Sequence, residues 1–280
     1  MHSCDASHIG CNGRGDLLLW LQSMDTVRLL SWNANGIRAL EKKGFLQWLD
    51  DTAPDVLCLQ ETRAQPEQLS EALRAPSGYH TYWNCAERKG YSGVSIFSRE
   101  PPSEVRQGFG VERFDSEGRV LVARYPSFTL FNVYFPNGKM GSERLAYKMD
   151  FYNAFLAHLL DLRRQGERIV VCGDYNTAHK EIDLSHPKEN ATVSGFLPQE
   201  RDWMDRLTAQ GFLDTFRLFH ADGGHFTWWD LKTRARDRNI GWRLDYFFVS
   251  DNLRNVVVDA GILSDVMGSD HCPVSLMLKA

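Results

Sequence analysis

Ile169-Val170-Val171-Cys172-Gly173-Asp174-Tyr175-Asn176 decides the architecture: a short apolar, β-rich run closes on Gly, Asp and Asn, directly after a long helical stripe. The stripe is Leu145, Met149, Tyr152, Phe155, Leu156 and Leu159, and its spacing predicts a helix with Ser142 as N-cap. A helix that feeds a buried strand, with polar residues where the strand ends, is the repeating unit of an α/β protein. The pattern recurs in both directions along the chain. Val27–Trp32, Val56–Gln60, Ser92–Phe97, Val120–Ala123, Phe128–Tyr134, Tyr246–Val249 and Val274–Leu278 also read as strands. Phe45, Trp48 and Leu49 mark one further helix, Pro66 the first turn of another, and Gln199–Gln210 a fourth.

Polar residues gather where these strands stop. Asn33 and Asn35 follow the first, Glu61 the second, Asn137 follows Phe128–Tyr134, and Asp174 with Asn176 follows Ile169–Cys172. Loops at strand ends are where α/β proteins assemble their sites. Longer polar loops, Val111–Glu117 and His179–Gly195, are expected to face a substrate. Near the C-terminus Gly268-Ser269-Asp270-His271-Cys272-Pro273 places an acid beside an imidazole, and Asp245 lies in Trp242-Arg243-Leu244-Asp245-Tyr246.

Asn33, Asn35, Glu61, Asp174, Asn176, Asp245, Asp270 and His271 together offer oxygen ligands and one imidazole. That mixture suits Mg²⁺, with Mn²⁺ as substitute, and not structural zinc. The chemistry it fits is metal-assisted hydrolysis of a phosphodiester, which needs a cation, hydrogen-bond donors and a base to align water. Glu61 and Asp270 would hold the metal with amide help from Asn33 or Asn35. Asp174 would orient or deprotonate water, with Asn176 fixing both; His271 would donate to a phosphate oxygen, held by Asp245. Asp174, Asn176 and His271 also count among the candidate metal ligands. Every member has an ordinary reading too. Gly173–Asn176 and the Asn35-Gly36 stretch could be turns, Glu61 a solvated acid, and Asp245 a partner for Arg243.

The rest of the chain sets bounds. With 280 residues and 43% apolar content, a large core is affordable, and without a linker-like stretch a single domain over residues 24–280 is expected. Residues 1–23 read as a disordered N-terminal extension; His2, Cys4, His8 and Cys11 within it have unconvincing spacing for a metal. The net charge of −4 excludes global attraction to a polyanion, so nucleic acid would have to meet a local basic face. Lys232, Arg234, Arg236, Arg238 and Arg243, with Arg88, Lys89 and Lys139, are candidates for it or for a solvated surface. Six cysteines without C-x-x-C pairing suggest reduced thiols and a cytoplasmic protein. No apolar run is long enough to span a membrane.

Seven separated stretches resemble the exodeoxyribonuclease III family of apurinic/apyrimidinic endonucleases, in the family's order and over nearly all of Val27–Leu278. They are Ser31–Arg38, Leu59–Thr62, Gly90–Val94, Tyr134–Gly138, Gly173–Asn176, Gly241–Tyr246 and Gly268–Pro273. The resemblance implies an α/β (α+β) fold, a four-layered α/β sandwich of two packed mixed β-sheets flanked by helices. It implies Mg²⁺-dependent cleavage 5′ to abasic sites in double-stranded DNA, leaving a 3′-hydroxyl, with repair of 3′-blocked ends or 3′-5′ exonuclease activity in many members. A monomer is expected, nucleoid-associated if the source is bacterial.

By the same resemblance Glu61 matches the metal-binding glutamate, Asp174 and Asn176 the water-orienting pair, and Asp245, Asp270 and His271 the remaining acid-imidazole group. Tyr134 matches a site tyrosine for the phosphate or leaving oxygen, and Asn137 and Asn190 match phosphate-contacting amides. Trp228, Trp242 and Leu244 match the apolar pocket for an extruded sugar lacking its base. Three positions depart: Asn35 stands where many relatives have Asp, Val193 where some have Asn, and Met140 where some have a basic residue. Two other readings are disfavoured. Against a phosphatase of inositol lipids or a sphingomyelinase in the same fold, Gly241–Tyr246 and the aromatic pocket match the DNA branch and no amphipathic membrane-binding segment is evident. Against a protein that binds damaged DNA without cutting it, Glu61, Tyr134, Asp174, Asn176, Asp245, Asp270 and His271 are all present.

Overall fold

The computed structural model describes residues 26–280, so the expectations about residues 1–23 lie outside the described residues. In chain order, β1 (Thr26–Asn33), β2 (Val56–Gln60), β3 (His80–Asn84) and β4 (Val94–Ser98) open one sheet. The second sheet follows with β5 (Glu104–Gln107), β6 (Val120–Arg124), β7 (Thr129–Tyr134), β8 (Ile169–Asp174) and β9 (Phe212–Asp214). A ribbon of β10 (Trp228–Trp229) and β11 (Gly241–Trp242) precedes β12 (Asp245–Ser250), which returns to the second sheet, and β13 (Val257–Ile262) and β14 (Val274–Lys279) complete the first. Spatial orders are β13-β14-β1-β2-β4-β3 and β5-β6-β7-β8-β12-β9.

All eight strands read from the sequence are central strands of the two large sheets, and the six left unread are the edges, β13, β3, β5 and β9, and the short ribbon strands β10 and β11. The reason is burial. Central strands such as β2, β4, β7, β8 and β12 are buried at every position, because a sheet covers one face and helices the other. Between the sheets lie Leu29, Cys58, Val94, Leu130, Cys172 and Phe247. Inside this apolar layer Gln60 donates to Ser31 (2.9 Å) and Asn132 (2.8 Å), while Asn132 donates to the Leu59 and Ser95 carbonyls across the gap.

The helices form the outer layers. α1 (Ile37–Glu41), α2 (Phe45–Thr52) and α3 (Glu71–Arg74) lie on one side; α4 (Glu112–Asp115), α5 (Ser142–Arg164) and α6 (Pro198–Ala209) on the other. Leu30, Trp32 and Leu59 meet Phe45 and Leu49, and Phe131 and Val171 meet Phe155, Leu159 and Trp203. Three expectations change. Ser142 lies inside α5, whose N-cap is Gly141 without a side-chain bond. The chain at Pro66 makes one 3₁₀ turn and breaks at Leu69 before α3. The Val111–Glu117 loop holds α4, whose Phe114 packs into the core and whose Asp115 binds the Phe109, Gly110 and Val111 amides.

Each sheet contains one parallel pair, β1–β2 and β7–β8, so the C-terminal ends of four strands point the same way within their pairs. Antiparallel β12 then brings its first residue, Asp245, opposite the last of β8, Asp174. Antiparallel β14 does the same for β1, with Val274 opposite Ser31, which lays the preceding Asp270 and His271 against the end of β1. Trp32 donates to the His271 carbonyl (3.0 Å) and Ser269 to that of Asn33 (2.8 Å).

The sequence-level basic cluster loses a member here. Arg243 is buried, bonded to Asp183 (2.8 Å) and to both oxygens of Asp214 (3.1 and 2.6 Å), and Arg217 closes the group on Asp183. Burial pushes the Asp183 carboxyl up, but the Arg243 and Arg217 guanidiniums hold it below the usual carboxylate range. Its stabilisation is therefore present above about pH 3.9 and lost as pH falls through the lower folded value. Asp183→Asn should cost about 3–5 kcal/mol at pH 7, measured by urea unfolding. The penalty should shrink below pH 4; a penalty constant to lower pH would show that shape, and not charge, is what Asp183 supplies.

Candidate active site

Gly173 begins the local geometry. Its φ is 140°, and a Cβ there would lie 1.8 Å from the Val133 carbonyl oxygen on β7, so only glycine lets β7 and β8 close up just before Asp174. Asp174 Oδ1 then accepts the Asn176 amide (2.8 Å) and Oδ2 accepts Asn33 Nδ2 (2.8 Å). The same Asn33 nitrogen donates to Glu61 (3.1 Å), while Asn33 Oδ1 accepts the Asn35 amide (2.9 Å). One buried asparagine thus ties an acid from each sheet together.

The second wall comes from the other strand ends. Asp245 Oδ2 accepts His271 Nδ1 at 2.8 Å and Thr227 Oγ1 at 2.6 Å. Its alternative partner, Arg243, is engaged elsewhere. His271 Nε2 faces Asp174 Oδ2 at 3.9 Å. Asp270 accepts Asn35 Nδ2 (2.8 Å) on one oxygen and Trp228 Nε1 (3.1 Å) on the other. Asn137 reaches Asn176 Oδ1 (3.0 Å), and Asn176 Nδ2 reaches the Phe135 carbonyl (3.0 Å).

Glu61, Tyr134, Asn137, Asp174, Asn176, Asp270 and His271 line one cleft of about 370 Å³, together with Asn35, Trp228 and Leu244. Asn33 and Asp245 support it from behind. Trp242 packs edge-on to Trp228 at 6.5 Å beside Leu244 and Phe196. Asn190 stays out of the cleft, its amide donating to the Ser185 and His186 carbonyls. Val193 is on the surface, and Met140, 87% exposed, stands on the cleft rim.

Of the cations of this cleft the sequence points only to Lys139, as part of a basic face; its arginines carry no motif. Arg63 donates to Glu61 (2.5 Å), Arg119 lies 4.8 Å from the Tyr134 ring centre, and Arg144 and Arg119 both donate to the Tyr91 hydroxyl. Lys139 hangs over Trp228 at 5.0 Å and Trp242 at 5.9 Å. The cleft therefore has an acidic floor and a basic rim. The Gly90–Val94 stretch contains Tyr91 and the Leu59–Thr62 stretch ends beside Arg63; nothing in the sequence singles out Arg119 or Thr227.

Burial governs the proton balance. It pulls the His271 imidazole down, but the bonded Asp245, with Asp174 and Asp270, outweighs it and raises the group to about 10. Burial raises the Asp174 carboxyl, with Asp245 and Glu61 adding and His271 opposing. Burial also raises Tyr134, reinforced by Glu61 and opposed by Arg119, so its phenol keeps its proton at neutral pH. Asp270 stays below the usual range despite burial, because His271, Asn35 and Trp228 all favour its charge.

A hard cation fits these residues. Asp245 Oδ1 is buried without a hydrogen-bond partner, and Asp174, Asp245 and His271 bring ligand atoms within 4.8 Å of one another. Carboxylates of Glu61 and Asp270 on the open side add oxygen donors of the kind Mg²⁺ takes.

The Endonuclease/Exonuclease/phosphatase family matches residues 30–271. The chain is 46% identical over 255 residues to the exodeoxyribonuclease of Bacillus subtilis (strain 168), covering 90% of this chain and 100% of that one. It is 42% identical over 257 residues to the DNA repair nuclease APEX1 of Danio rerio, covering 90% and 82%. Among solved structures, an AP endonuclease from Archaeoglobus fulgidus matches with a TM-score of 0.83 at 28% identity, over 91% of this chain and 100% of that one.

In metal-free protein, Asp245→Asn should lower the pH at which His271 loses its proton from about 10. Imidazole ¹⁵N NMR in EDTA reads this directly. The folded value lies above the ordinary value of about 6.5, so the pair's stabilisation is full below that pH and drains away as pH rises towards the folded value. An unmoved midpoint would assign the shift to Asp174 and Asp270.

Proposed function

The chain belongs to the endonuclease/exonuclease/phosphatase family, in its exodeoxyribonuclease III branch of AP endonucleases, and on that premise we propose a Mg²⁺-dependent DNA-repair phosphodiesterase. It cuts the backbone 5′ to abasic sites, leaves a 3′-hydroxyl, and also processes blocked 3′ ends or trims strands from them. The observation that carries this reading is the cleft itself: an acidic floor for a cation, a basic rim for phosphate, and an aromatic recess beside both. Glu61 and Asp270, with Asn33, Asn35, Asp174 and Asn176 around them, would hold Mg²⁺ or Mn²⁺; His271, protonated against Asp245, is left for the phosphate. When bound, that ion supplies positive charge against the phosphoryl oxygens.

The side chains account for the remaining steps. Asp174, its carboxyl raised by burial, accepts a proton from the attacking water, which Asn176 helps orient. The water oxygen bonds to phosphorus as the bond from phosphorus to the 3′ oxygen breaks. His271, kept as imidazolium by Asp245, donates to a non-bridging oxygen. Tyr134, protonated and beside Arg119, serves the departing 3′ oxygen, and Asn137 steadies Asn176 or the phosphate. Asn190, outside the cleft, could meet only a neighbouring phosphate of the duplex.

Trp228, Trp242 and Leu244 form the recess for a flipped sugar, which an intact nucleotide would overfill. Met140 offers an apolar wedge on the rim, a recognised way to part base steps. Among the described residues no helix is long and apolar enough to cross a membrane, and Cys58, Cys85, Cys172 and Cys272 are free thiols. We also infer a cytoplasmic monomer acting on double-stranded DNA.

A labelled duplex with one abasic analogue should be nicked with Mg²⁺ and left intact with EDTA; binding without cutting would overturn the reading. Asp174→Asn should reduce turnover about 10²–10⁴-fold with abasic-DNA affinity nearly kept, and equal loss of both would make Asp174 a structural or metal-holding group. Trp242→Ala should narrow the preference for abasic over undamaged duplex, and an unchanged preference would remove it from the recess.

A further inference from the structure

Behind the cleft lies an ion pair that the chemistry above does not use. Lys148 on α5 and Glu200 in the first turn of α6 meet at 2.6 Å, and both side chains are 0% exposed. Two buried charges are costly to desolvate, and well-packed apolar residues are often as stable. A reason other than stability is therefore needed, and the hydrogen bonds supply it.

Lys148 gives its other two donors to the Asn176 carbonyl (2.8 Å) and the Thr177 hydroxyl (2.9 Å). Asn176 has a φ of 51°, a left-handed conformation that a non-glycine residue keeps only when its surroundings enforce it. Glu200 in turn accepts Ser194 Oγ (2.9 Å), the Gly195 amide (2.6 Å) and the Leu197 amide (3.0 Å). Gly195 is the link to the recess. A Cβ on it would lie 3.2 Å from the Trp242 ring and 3.3 Å from the Asn176 carbonyl, and its own carbonyl accepts the Ala178 amide (2.8 Å).

One charge pair thus grips both the turn that carries Asp174 and Asn176 and the turn against which Trp242 rests. We propose that Lys148 and Glu200 are positioning residues that hold the water-orienting turn in register with the tryptophan recess, so that attack geometry and lesion discrimination are set together. This rests on the nuclease reading above. Misplacement of a reacting group by about 1 Å costs about 10²-fold in rate, so loosening this pair should act on turnover more than on binding.

The test compares Lys148→Met, Lys148→Arg and Glu200→Gln in the full-length protein, after confirming cooperative thermal unfolding. On abasic duplex with Mg²⁺, Lys148→Met and Glu200→Gln should lower kcat by about 10–10²-fold with KM little changed. Preference for abasic over undamaged duplex should fall in parallel. Lys148→Arg, which keeps the charge and the donors, should recover most of both. Should Lys148→Met fail to fold, Glu200→Gln carries the comparison, since it keeps the shape and removes one charge. A folded variant with wild-type kcat and discrimination overturns the inference while wild-type cutting upholds the nuclease reading. Wild-type protein that leaves the abasic duplex uncut overturns both.

Discussion

Keeping several charges out of water at one corner of the sandwich, without leaving any of them alone, is the constraint on which the rest of the structure depends. Asp174, Asp245 and His271 are all nearly inaccessible, and an isolated buried charge would cost several kcal/mol. Each is therefore given a partner from a different strand end, Asn33 for Asp174 and His271 for Asp245, with the Asn176 amide of its own turn and the Thr227 hydroxyl completing the sets. Because those partners come from both sheets, the sheets must meet in one register. The buried Gln60–Asn132 bridge fixes that register from within, and the parallel pairs β1–β2 and β7–β8 aim the strand ends at it.

The same logic explains what the sequence could disclose. Central strands must be apolar on both faces, so Val56–Gln60 and Ile169–Cys172 stand out as runs. Edge strands such as His80–Asn84 and Glu104–Gln107 carry polar and charged residues against solvent, as exposed edges usually do, and their alternation is lost among loops. Acids placed just after apolar runs, Glu61 and Asp174 among them, were legible because nothing else explains a carboxylate there as a group. Arg119 and Arg243 were not legible. Arg243 finds Asp183 60 residues away; Arg119 pairs with Glu117 two residues before it, a spacing that reads as an ordinary surface pair, and is drawn to the cleft by Tyr134 and Tyr91, 15 and 28 positions off.

Part of the backbone strain is placed at the cleft, which takes four of the nine non-glycine residues with positive φ among those described. Asn35, Glu61, Arg63 and Asn176 all have positive φ, and all four line it. Such conformations cost about 1–3 kcal/mol each, and local bonds maintain them. The Gly36 amide bonds to the Glu61 carbonyl, the Arg63 amide to that of Ser92, and Lys148 holds that of Asn176. Rigid strands set the positions, while strained single residues set the directions in which the side chains point.

The pairing of β1 with β14 also bears on how the protein is made. The first strand described finds its antiparallel neighbour only among the last residues, Thr26 opposite Lys279, and Trp32 binds the His271 carbonyl across 239 positions. Contacts so distant in sequence form slowly and late. A nascent chain that ends before Asp270 lacks both that acid and His271, and one that ends before β14 carries them with no strand to hold them against β1, so neither holds a complete cleft. Synthesis thereby withholds the complete cleft until β14 has emerged and paired with β1.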